Sequence, residues 1–159
     1  MIIAEFCQNH NADNHILENM IKAASENGAK YAKIQSIIAD DLTFRPQFEN
    51  GLKSHKGEIL AIKRPYMQEY ERLKKLELND DQVKNFINLC KNYNLIPLTT
   101  CFVRRDIKKL KKFGFDSIKV ASYDCASYKM ISELADEFSE IIISTGATFN
   151  NEIEFYYPK

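Results

Sequence analysis

Five short runs of β-branched and other apolar residues, separated by helix-type patterns, restrict the fold of this chain more than any other feature of its sequence. Two parallel strands can be joined only by a crossover, which is usually a helix. The alternation therefore predicts an α/β fold in which helices cover a parallel sheet. The predicted strands are residues 2–7, 31–36, 95–101, 117–122 and 140–145.

Capping residues mark the ends of the first two predicted helices. Asp13 or Asn14 can cap a helix that stops at Gly28. Asn79 followed by Gln82 is typical of a capping box at the start of the second helix. The apolar stripes are Ile16, Leu17, Met20, Ile21 and Ala24 in the first helix, and Val83, Phe86, Ile87 and Cys90 in the second, which can end in the left-handed conformation at Asn94.

Two further helices are predicted from the same periodicity of apolar residues. The third helix stops at Gly114, and Ser127 can cap the fourth. Their predicted buried residues are Ile107, Leu110 and Phe113 in the third helix, and Met130, Ile131, Leu134, Ala135 and Phe138 in the fourth.

Five units of this kind are compatible with two architectures, an open doubly wound sheet or part of a closed eight-stranded barrel. An open sheet that binds dinucleotides would carry a glycine-rich loop after its first strand, whereas residues 7–13 (CQNHNAD) contain no glycine. Only five glycines occur among 159 residues, so no dinucleotide fingerprint exists. Residues 37–78 are too long for a simple connection, and we interpret them as an active-site flap, because such long loops are usually functional.

Polar or ionisable side chains occur at the end of every predicted strand. Ligands bind at the C-terminal ends of parallel strands, so these side chains form the candidate site. Lys33 and Lys119 are unexpected in apolar strands, because a buried ammonium is costly unless it meets an anion. They indicate a phosphate or carboxylate site, and the alternative is that they pair with Glu5 and Asp124 inside the fold. The full set is Glu5, Gln8, Asn9, His10, Lys33, Gln35, Ser36, Thr99, Thr100, Lys119, Ser122, Asp124, Ser144 and Thr145.

Composition excludes several classes of function. Lys plus Arg and Asp plus Glu both number 22, so no net charge draws the chain to nucleic acid or to an anionic membrane. No apolar run approaches the roughly 20 residues of a membrane-spanning helix, and the N-terminus lacks a signal-peptide pattern, so we expect a cytoplasmic protein. The cysteines contain no CxxC pair, so we expect reduced thiols, and a soft-metal cluster is the alternative for Cys7, His10, Cys101 and Cys125.

Five segments of the chain occur in the order and spacing of a known family. They are IIAEFCQNHNAD, GAKYAKIQSIIADDL, PLTTCF, IKVASYDCASY and IIISTGA, and they resemble the signatures of the N-acetylneuraminate (sialic acid) synthase family. The resemblance implies a (β/α)8 barrel of the TIM type, followed in the family by a small antifreeze-like domain. It implies that residues 1–159 correspond to the N-terminal portion of the barrel, about the first five β/α units, with the C-terminal half-barrel and the antifreeze-like domain absent.

The same resemblance implies a reaction. The family condenses phosphoenolpyruvate with an N-acylated amino sugar, such as N-acetylmannosamine, to give a nonulosonic acid, and it releases phosphate. It uses a divalent metal, Mn²⁺ or Mg²⁺, and the resemblance places the metal ligands outside this chain. Carried over by position, the site comprises Lys33, Lys119, Ser122 and Ser144 on phosphoenolpyruvate, Glu5 and Asp124 as catalytic acids near the reacting carbons, Gln35 facing the sugar, and Asn9 and His10 supporting the loop.

Three positions depart from the family pattern. Cys7 and Tyr123 stand where the family commonly has glycine, and Cys101 stands where it has proline. These differences indicate a reshaped pocket. The alternative to an enzyme is a catalytically incomplete chain that binds a ligand or self-associates through open sheet edges, and we expect a homo-oligomer or self-association in either case.

Overall fold

A computed structural model describes residues 1–146 and 148–156 of the chain. The five predicted strands are present, and their observed ends lie within two residues of the predicted ones. In the described residues the strands are β1 (Ile3–Cys7), β2 (Tyr31–Ile34), β3 (Leu52–Lys53), β4 (Ile59–Ala61), β5 (Ile96–Cys101), β6 (Ser117–Val120) and β7 (Glu140–Ile143). The helices are α1 (Asn14–Glu26), α2 (Pro46–Glu49), α3 (Tyr66–Lys74), α4 (Asp80–Asn92), α5 (Ile107–Phe113), α6 (Tyr128–Glu137) and α7 (Asn150–Tyr156).

The main sheet has the order β1-β2-β5-β6-β7, and every neighbouring pair is parallel. A doubly wound sheet reverses its direction of growth at a switch point. In the described residues, the strands of the main sheet lie side by side in the same order as they occur along the chain, without such a reversal. The sheet therefore grows in one direction only, as a barrel does.

A contact between two distant strands shows that the sheet is curved. On a flat sheet β2 and β7 would lie about 14 Å apart, three strand spacings, and side chains perpendicular to the sheet would not meet. The hydroxyl of Tyr31 on β2 nevertheless donates to the carboxylate of Glu140 on β7 at 2.9 Å. The concave face of the sheet therefore encloses these side chains.

The hydrophobic core lies between the convex face of the sheet and the helices. Successive side chains of a strand alternate between the two faces, and the outward residues are apolar while the inward ones include the charged groups. The core includes Phe6, Ala32, Ile34, Cys101, Ile118 and Val120 from the strands, and Leu17, Ile21, Phe86, Ile87, Leu110 and Leu134 from the helices.

The predicted helix ends are largely confirmed. Asp13 accepts from the amides of the first turn of α1, and Asn79 and Gln82 form the reciprocal capping box of α4. Asn94 and Gly114 adopt the left-handed conformation, with φ of 56° and 105°. Two details were wrong: Ser127 precedes α6 without a capping hydrogen bond from its side chain, and two residues of the predicted stripes, Ile16 and Ala135, are exposed.

Residues 37–78 contain regular structure. They include the short helix α2, the antiparallel hairpin β3–β4 and the helix α3. The start of the segment is joined to its end, because Asp40 accepts from the Tyr70 hydroxyl at 2.8 Å and from the Lys74 ammonium at 3.1 Å. No helix in the described ranges has both the length and the apolar surface that crossing a bilayer requires.

Candidate functional site

The first two strands bring an acid and a base together at their C-terminal ends. The register of β1 and β2 places Glu5 opposite Lys33, and the Lys33 Nζ lies 2.7 Å from Glu5 Oε2. Lys33 is only 2% exposed, whereas the Glu5 side chain is 39% exposed. A buried ammonium requires a counter-charge. The Glu5 carboxylate provides it, and part of the Glu5 side chain stays exposed to solvent.

The backbone after Glu5 is bent. The strand register shifts between Glu5 and Cys7, and Cys7 has φ of 51°, in the left-handed region that favours glycine. The Cys7 amide donates to Glu5 Oε1 at 3.0 Å. This cysteine therefore occupies a conformation for which glycine is the better residue.

His10 fixes the loop that follows. Its ring is fully buried, and Nδ1 accepts from the Ala12 amide at 3.0 Å, so that Nε2 carries the proton. Nε2 has no hydrogen-bond partner among the described residues, and burial lowers the pKa of His10. Asn9, the other predicted supporting residue, is exposed, and its amide donates to the Phe6 carbonyl at 3.0 Å.

Lys119 lies on the same concave face as Lys33, two strands away. The register pairs Lys33 with Leu98 and Lys119 with Thr100, both on β5. Burial lowers the pKa of Lys119, the positive charge of Lys33 lowers it further, and the negative charge of Glu5 opposes this. The like charges of the two lysines therefore oppose each other on this face of the sheet.

Lys119 forms no ion pair with an acid in the described residues. Its only hydrogen bond within the described residues is a long one of 3.5 Å to the Val120 carbonyl, and no described carboxylate forms an ion pair with it. The alternative interpretation was that both lysines form ion pairs inside the fold. It is correct for Lys33, which pairs with Glu5, and wrong for Lys119, which does not pair with Asp124. One positive charge remains available at this end of the sheet.

The two predicted serines lie on adjacent loops. The Ser144 amide donates to the Val120 carbonyl at 3.1 Å, which holds the end of β7 against the end of β6. Gly146 lies directly against Ser122, since a Cβ atom added to Gly146 would stand 3.4 Å from both Cβ and Oγ of Ser122. The structure thus brings Ser122 and Ser144 to the same edge as Lys119.

Asp124 lies in the loop after β6 and is partly buried. Burial raises the pKa of its carboxyl group, and the positive charge of Arg45 counteracts this shift. The Arg45 guanidinium also lies 4.9 Å from the centre of the Tyr123 ring. Sequence reasoning missed Arg45, because it lies far away in the chain and its only sequence signal was the turn-forming Arg45-Pro46 pair.

Gln35 lies where β2 leaves the sheet. It is half-buried, and its amide donates to the Cys7 carbonyl at 3.3 Å. Its backbone therefore joins the first two strand ends, and its assignment to a sugar stays a prediction. The neighbouring Ser36 and Thr99 hydroxyls lie 3.1 Å apart and connect β2 with β5.

A second polar cluster lies at the opposite end of the concave face. Glu140 accepts from the hydroxyl of Tyr31 at 2.9 Å and from that of Ser117 at 2.6 Å. Both hydrogen bonds lower the pKa of Glu140. Sequence reasoning missed this cluster, because the three residues open β2, β6 and β7 and are joined only by the curvature of the sheet.

The described residues do not form a metal site. No group of three or more His, Cys, Asp or Glu side chains in this part of the chain is arranged to hold a metal ion. The soft-metal alternative for Cys7, His10, Cys101 and Cys125 is therefore wrong. The four cysteines are free thiols, and burial raises the pKa of Cys101 to about 11.

The fold and the site define a class: an α/β protein with a one-directional parallel sheet that carries two lysines, Lys33 and Lys119, on its concave face near the C-terminal ends of the strands. The chain matches the NeuB family over residues 20–157 and belongs to this family.

Among curated relatives, it is 28% identical to the N,N'-diacetyllegionaminic acid synthase of Campylobacter jejuni, over 97% of this chain and 44% of that protein. It is 29% identical to a pseudaminic acid synthase of the same species, over 96% of this chain and 43% of that protein. The chain thus spans less than half the length of these two relatives.

Solved structures agree on the fold. The N-acetylneuraminic acid (sialic acid) synthetase of Leptospira borgpetersenii, crystallised with citrate, superposes with a TM-score of 0.76. The alignment has 21% sequence identity and covers 98% of this chain and 47% of that one. The similarity supports the α/β fold with its parallel sheet.

Proposed function

We propose that the chain provides the phosphoenolpyruvate-binding side of a nonulosonic acid synthase. The reaction would join phosphoenolpyruvate to an N-acylated amino sugar, such as N-acetylmannosamine or a related hexosamine, and release phosphate. Membership of the NeuB family and the similarity to legionaminic and pseudaminic acid synthases support this reaction class. We also propose that the five strands are part of a (β/α)8 barrel, that residues 37–78 form its flap and that the protein is cytoplasmic.

One observation carries the proposal. Two lysines, Lys33 and Lys119, lie on the same concave face, and only one carboxylate, Glu5, forms an ion pair with either of them in the described residues. A site of this kind has an excess positive charge, which a phosphate or carboxylate would neutralise. Phosphoenolpyruvate carries both groups.

The side chains suit separate tasks. Lys119 would bind an anionic group of phosphoenolpyruvate directly, and Lys33, held by Glu5, would line the site beside it. The hydroxyls of Ser122 and Ser144 would donate to the same oxygens. These interactions would hold the alkene carbon in place for attack on the sugar aldehyde.

The two acids differ in their surroundings. Glu5 is held next to Lys33, whereas burial raises the pKa of Asp124. A carboxyl group can both donate and accept a proton, and a raised pKa favours the form that donates. Asp124 would therefore move a proton at the sugar oxygen or at the water that adds during phosphate release, while Glu5 would orient Lys33. Gln35 would face the sugar.

The family implies Mn²⁺ or Mg²⁺, and we propose that the complete reaction uses such an ion. The described residues do not fit it, because their acids and histidines do not converge in groups of three. No step above is assigned to a metal.

Calorimetric titration with phosphoenolpyruvate at low ionic strength tests the proposal. We expect weak, salt-sensitive binding by the 159-residue chain, and we expect Lys119→Ala to weaken it at least about tenfold, because one charge-assisted hydrogen bond is lost. Lys112→Ala, which removes an exposed lysine of α5, is the matched control. Equal affinity of the two variants for phosphoenolpyruvate would contradict the assignment of Lys119 to the binding site. Turnover is a separate question, which an assay with phosphoenolpyruvate, amino sugars and Mn²⁺ would measure.

Self-association is a second candidate role, which the sheet itself suggests. Strands β1 and β7 form the two edges of the main sheet. Exposed strand edges pair readily with other chains, so we propose that the chain forms a homo-oligomer or a larger assembly. Light scattering at tens of micromolar protein tests this, and a stable monomer at that concentration would refute it.

A further inference from the structure

Residues 37–78 contact the loops that follow the strands of the main sheet. The Arg72 guanidinium on α3 donates to the Gln8 side chain, in the loop after β1, at 3.4 Å. Asp41, near the start of the segment, forms an ion pair with Arg105 in the loop after β5. Because the C-terminal ends of parallel strands lie at one edge of a sheet, these contacts place the segment along the edge that carries the strand-end site.

Arg45 makes a third contact of this kind, with the loop after β6. Its guanidinium lies 4.9 Å from the centre of the Tyr123 ring in that loop and 6.0 Å from the centre of the Phe48 ring on α2. The Arg45 backbone is extended, with φ of −129° and ψ of 105°, which is the conformation that the following Pro46 favours. Two aromatic rings and a restricted backbone therefore define the position of a side chain that is otherwise exposed.

Asp124 is the acid that this arginine affects. Burial raises the pKa of Asp124, and the positive charge of Arg45 acts in the opposite direction, although no ion pair joins the two side chains in the described residues. The Cys101 thiol at the end of β5 also faces Asp124, and it stays protonated because burial raises its pKa to about 11. In the described part of the chain, Arg45 is therefore the cation that favours the ionised form of Asp124.

The Tyr123 ring is a suitable holder for this cation. The face of an aromatic ring attracts a guanidinium without cancelling its charge, whereas a carboxylate partner would neutralise it. Tyr123 is 79% exposed and lies outside the hydrophobic core. Its contact with Arg45 thus keeps a positive charge next to Asp124 and leaves that charge free to act on the carboxylate.

We propose that Arg45 is a positioning residue of the strand-end site, held over the loop after β6 by the Tyr123 ring so that its charge stabilises the carboxylate form of Asp124. The consequence for catalysis rests on the proposed function, because an ionised Asp124 is the form that accepts a proton from the water that adds during phosphate release. The placement of Arg45 and its effect on Asp124 do not rest on it.

An NMR titration of the Asp124 carboxyl carbon in the free 159-residue chain, assigned with Asp124→Asn, tests the proposal. We expect Arg45→Gln to raise the pKa of Asp124, because the opposing positive charge is lost. Arg45→Lys should restore most of the wild-type value, since an ammonium carries the same charge and also binds an aromatic face. Arg64→Gln removes another exposed arginine of residues 37–78 and is the matched control, with no expected change. Added salt should reduce the difference between wild type and Arg45→Gln, because exposed charges are screened.

A double-mutant cycle tests the part played by the Tyr123 ring. Tyr123→Leu should raise the pKa of Asp124 in the same direction as Arg45→Gln, whereas Tyr123→Phe keeps the ring and should leave it unchanged. In the Arg45→Gln background, Tyr123→Leu should have no further effect, because the ring acts through the guanidinium. Equal pKa values of Asp124 in Arg45→Gln and Arg64→Gln would overturn the proposal. Additive effects of the two substitutions would show that Tyr123 does not position Arg45.

The failure of this inference and the failure of the proposed function give different results. The pKa of Asp124 is measured without a ligand, whereas the proposed function requires phosphoenolpyruvate binding that depends on Lys119. A pKa that Arg45→Gln does not change would refute the positioning role and leave the binding site intact. Wild-type affinity for phosphoenolpyruvate in Lys119→Ala would instead refute the proposed function and leave the effect of Arg45 on Asp124 intact.

Discussion

The two ends of the concave face use similar polar groups in opposite ways. At the N-terminal ends of the strands, Glu140 accepts from the hydroxyls of Tyr31 and Ser117, and the three side chains satisfy one another. At the C-terminal ends, Lys33 is paired with Glu5, and Lys119 has no acidic partner in the described residues. The first cluster joins strands, and the second contains a lysine without an ion pair in the described residues, which is the charge that the proposed anionic ligand would neutralise.

This difference separates stability from binding along a single face. A buried polar group that is fully hydrogen-bonded stabilises the fold, and one that lacks a partner costs free energy. Proteins retain such costs mainly at functional sites. The free energy lost at Lys119 in the empty protein would be regained when an anion binds.

Glu5→Gln should have the largest effect on stability. The substitution keeps an oxygen for the Cys7 amide and removes the charge opposite Lys33, which is only 2% exposed. Breaking a fully buried pair costs about 3–5 kcal/mol, and we expect about 3 kcal/mol here because Glu5 is partly exposed. Urea unfolding measures it. Lys33→Met should cost less, because the remaining Glu5 can be hydrated, and the reverse ranking would contradict this account.

Glu140→Ala should destabilise the chain by about 2 kcal/mol, because it leaves the buried Tyr31 hydroxyl and the Ser117 hydroxyl without their acceptor. Thermal or urea unfolding provides the measurement. Asp136→Ala, which removes an exposed acid of α6, is the control and should change stability by less than about 0.5 kcal/mol. If both variants were equally stable, the hydrogen bond between Tyr31 on β2 and Glu140 on β7 would contribute nothing to the stability of the fold.

The pH dependence of the Glu140 cluster has a defined sign. Hydrogen bonds from Ser117 and Tyr31 lower the folded-state pKa of Glu140 below its ordinary value of 4.5. Its contribution to stability is therefore present above pH 4.5 and is lost as the pH falls through the folded-state pKa. We expect Glu140→Gln to be less stable than the wild type by about 1 kcal/mol at pH 7. The gap should shrink in acid, and a gap that widens below pH 4.5 would show that the sign is wrong.

Cys7→Gly should have the smallest effect. Relief of the left-handed conformation at φ 51° is worth about 1–2 kcal/mol, and the greater freedom of glycine in the unfolded chain offsets about half of it. We expect a net gain near 0.5 kcal/mol over Cys7→Ala, which keeps the strained conformation without the thiol. Denaturant midpoints of the two variants provide the comparison. A more stable alanine variant would show that the bend after Glu5 is not strained.

Most of the fold could be predicted because its signals are local. The β-branched runs, the capping box at Asn79 and the left-handed positions Asn94 and Gly114 depend on neighbours in the chain. The grouping of Lys33 with Glu5 was also predictable, since parallel strand ends lie at one edge of the sheet. The missing capping bond at Ser127 and the exposure of Ala135 depend on how α6 packs, which periodicity does not specify.

The unpredicted parts of the site depend on contacts between distant segments. Arg45 reaches Tyr123 only because residues 37–78 fold back over the loop after β6. The Tyr31–Glu140 contact exists only because the sheet is curved. Sequence reasoning also could not show that Lys119 lacks an acidic partner within the described residues, because spacing alone allowed Asp124 to pair with it.

The ionisation of the Lys119 side chain tests the central claim most directly. Spectra of ¹³C-labelled lysine, assigned with the Lys119→Met variant, would give its pKa with and without phosphoenolpyruvate. The account predicts a pKa below the ordinary 10.5 in the free protein, and a rise when phosphoenolpyruvate supplies the missing negative charge. A pKa that starts at its ordinary value, or that does not respond to saturating phosphoenolpyruvate, would contradict the claim that Lys119 is kept unpaired for an anionic ligand.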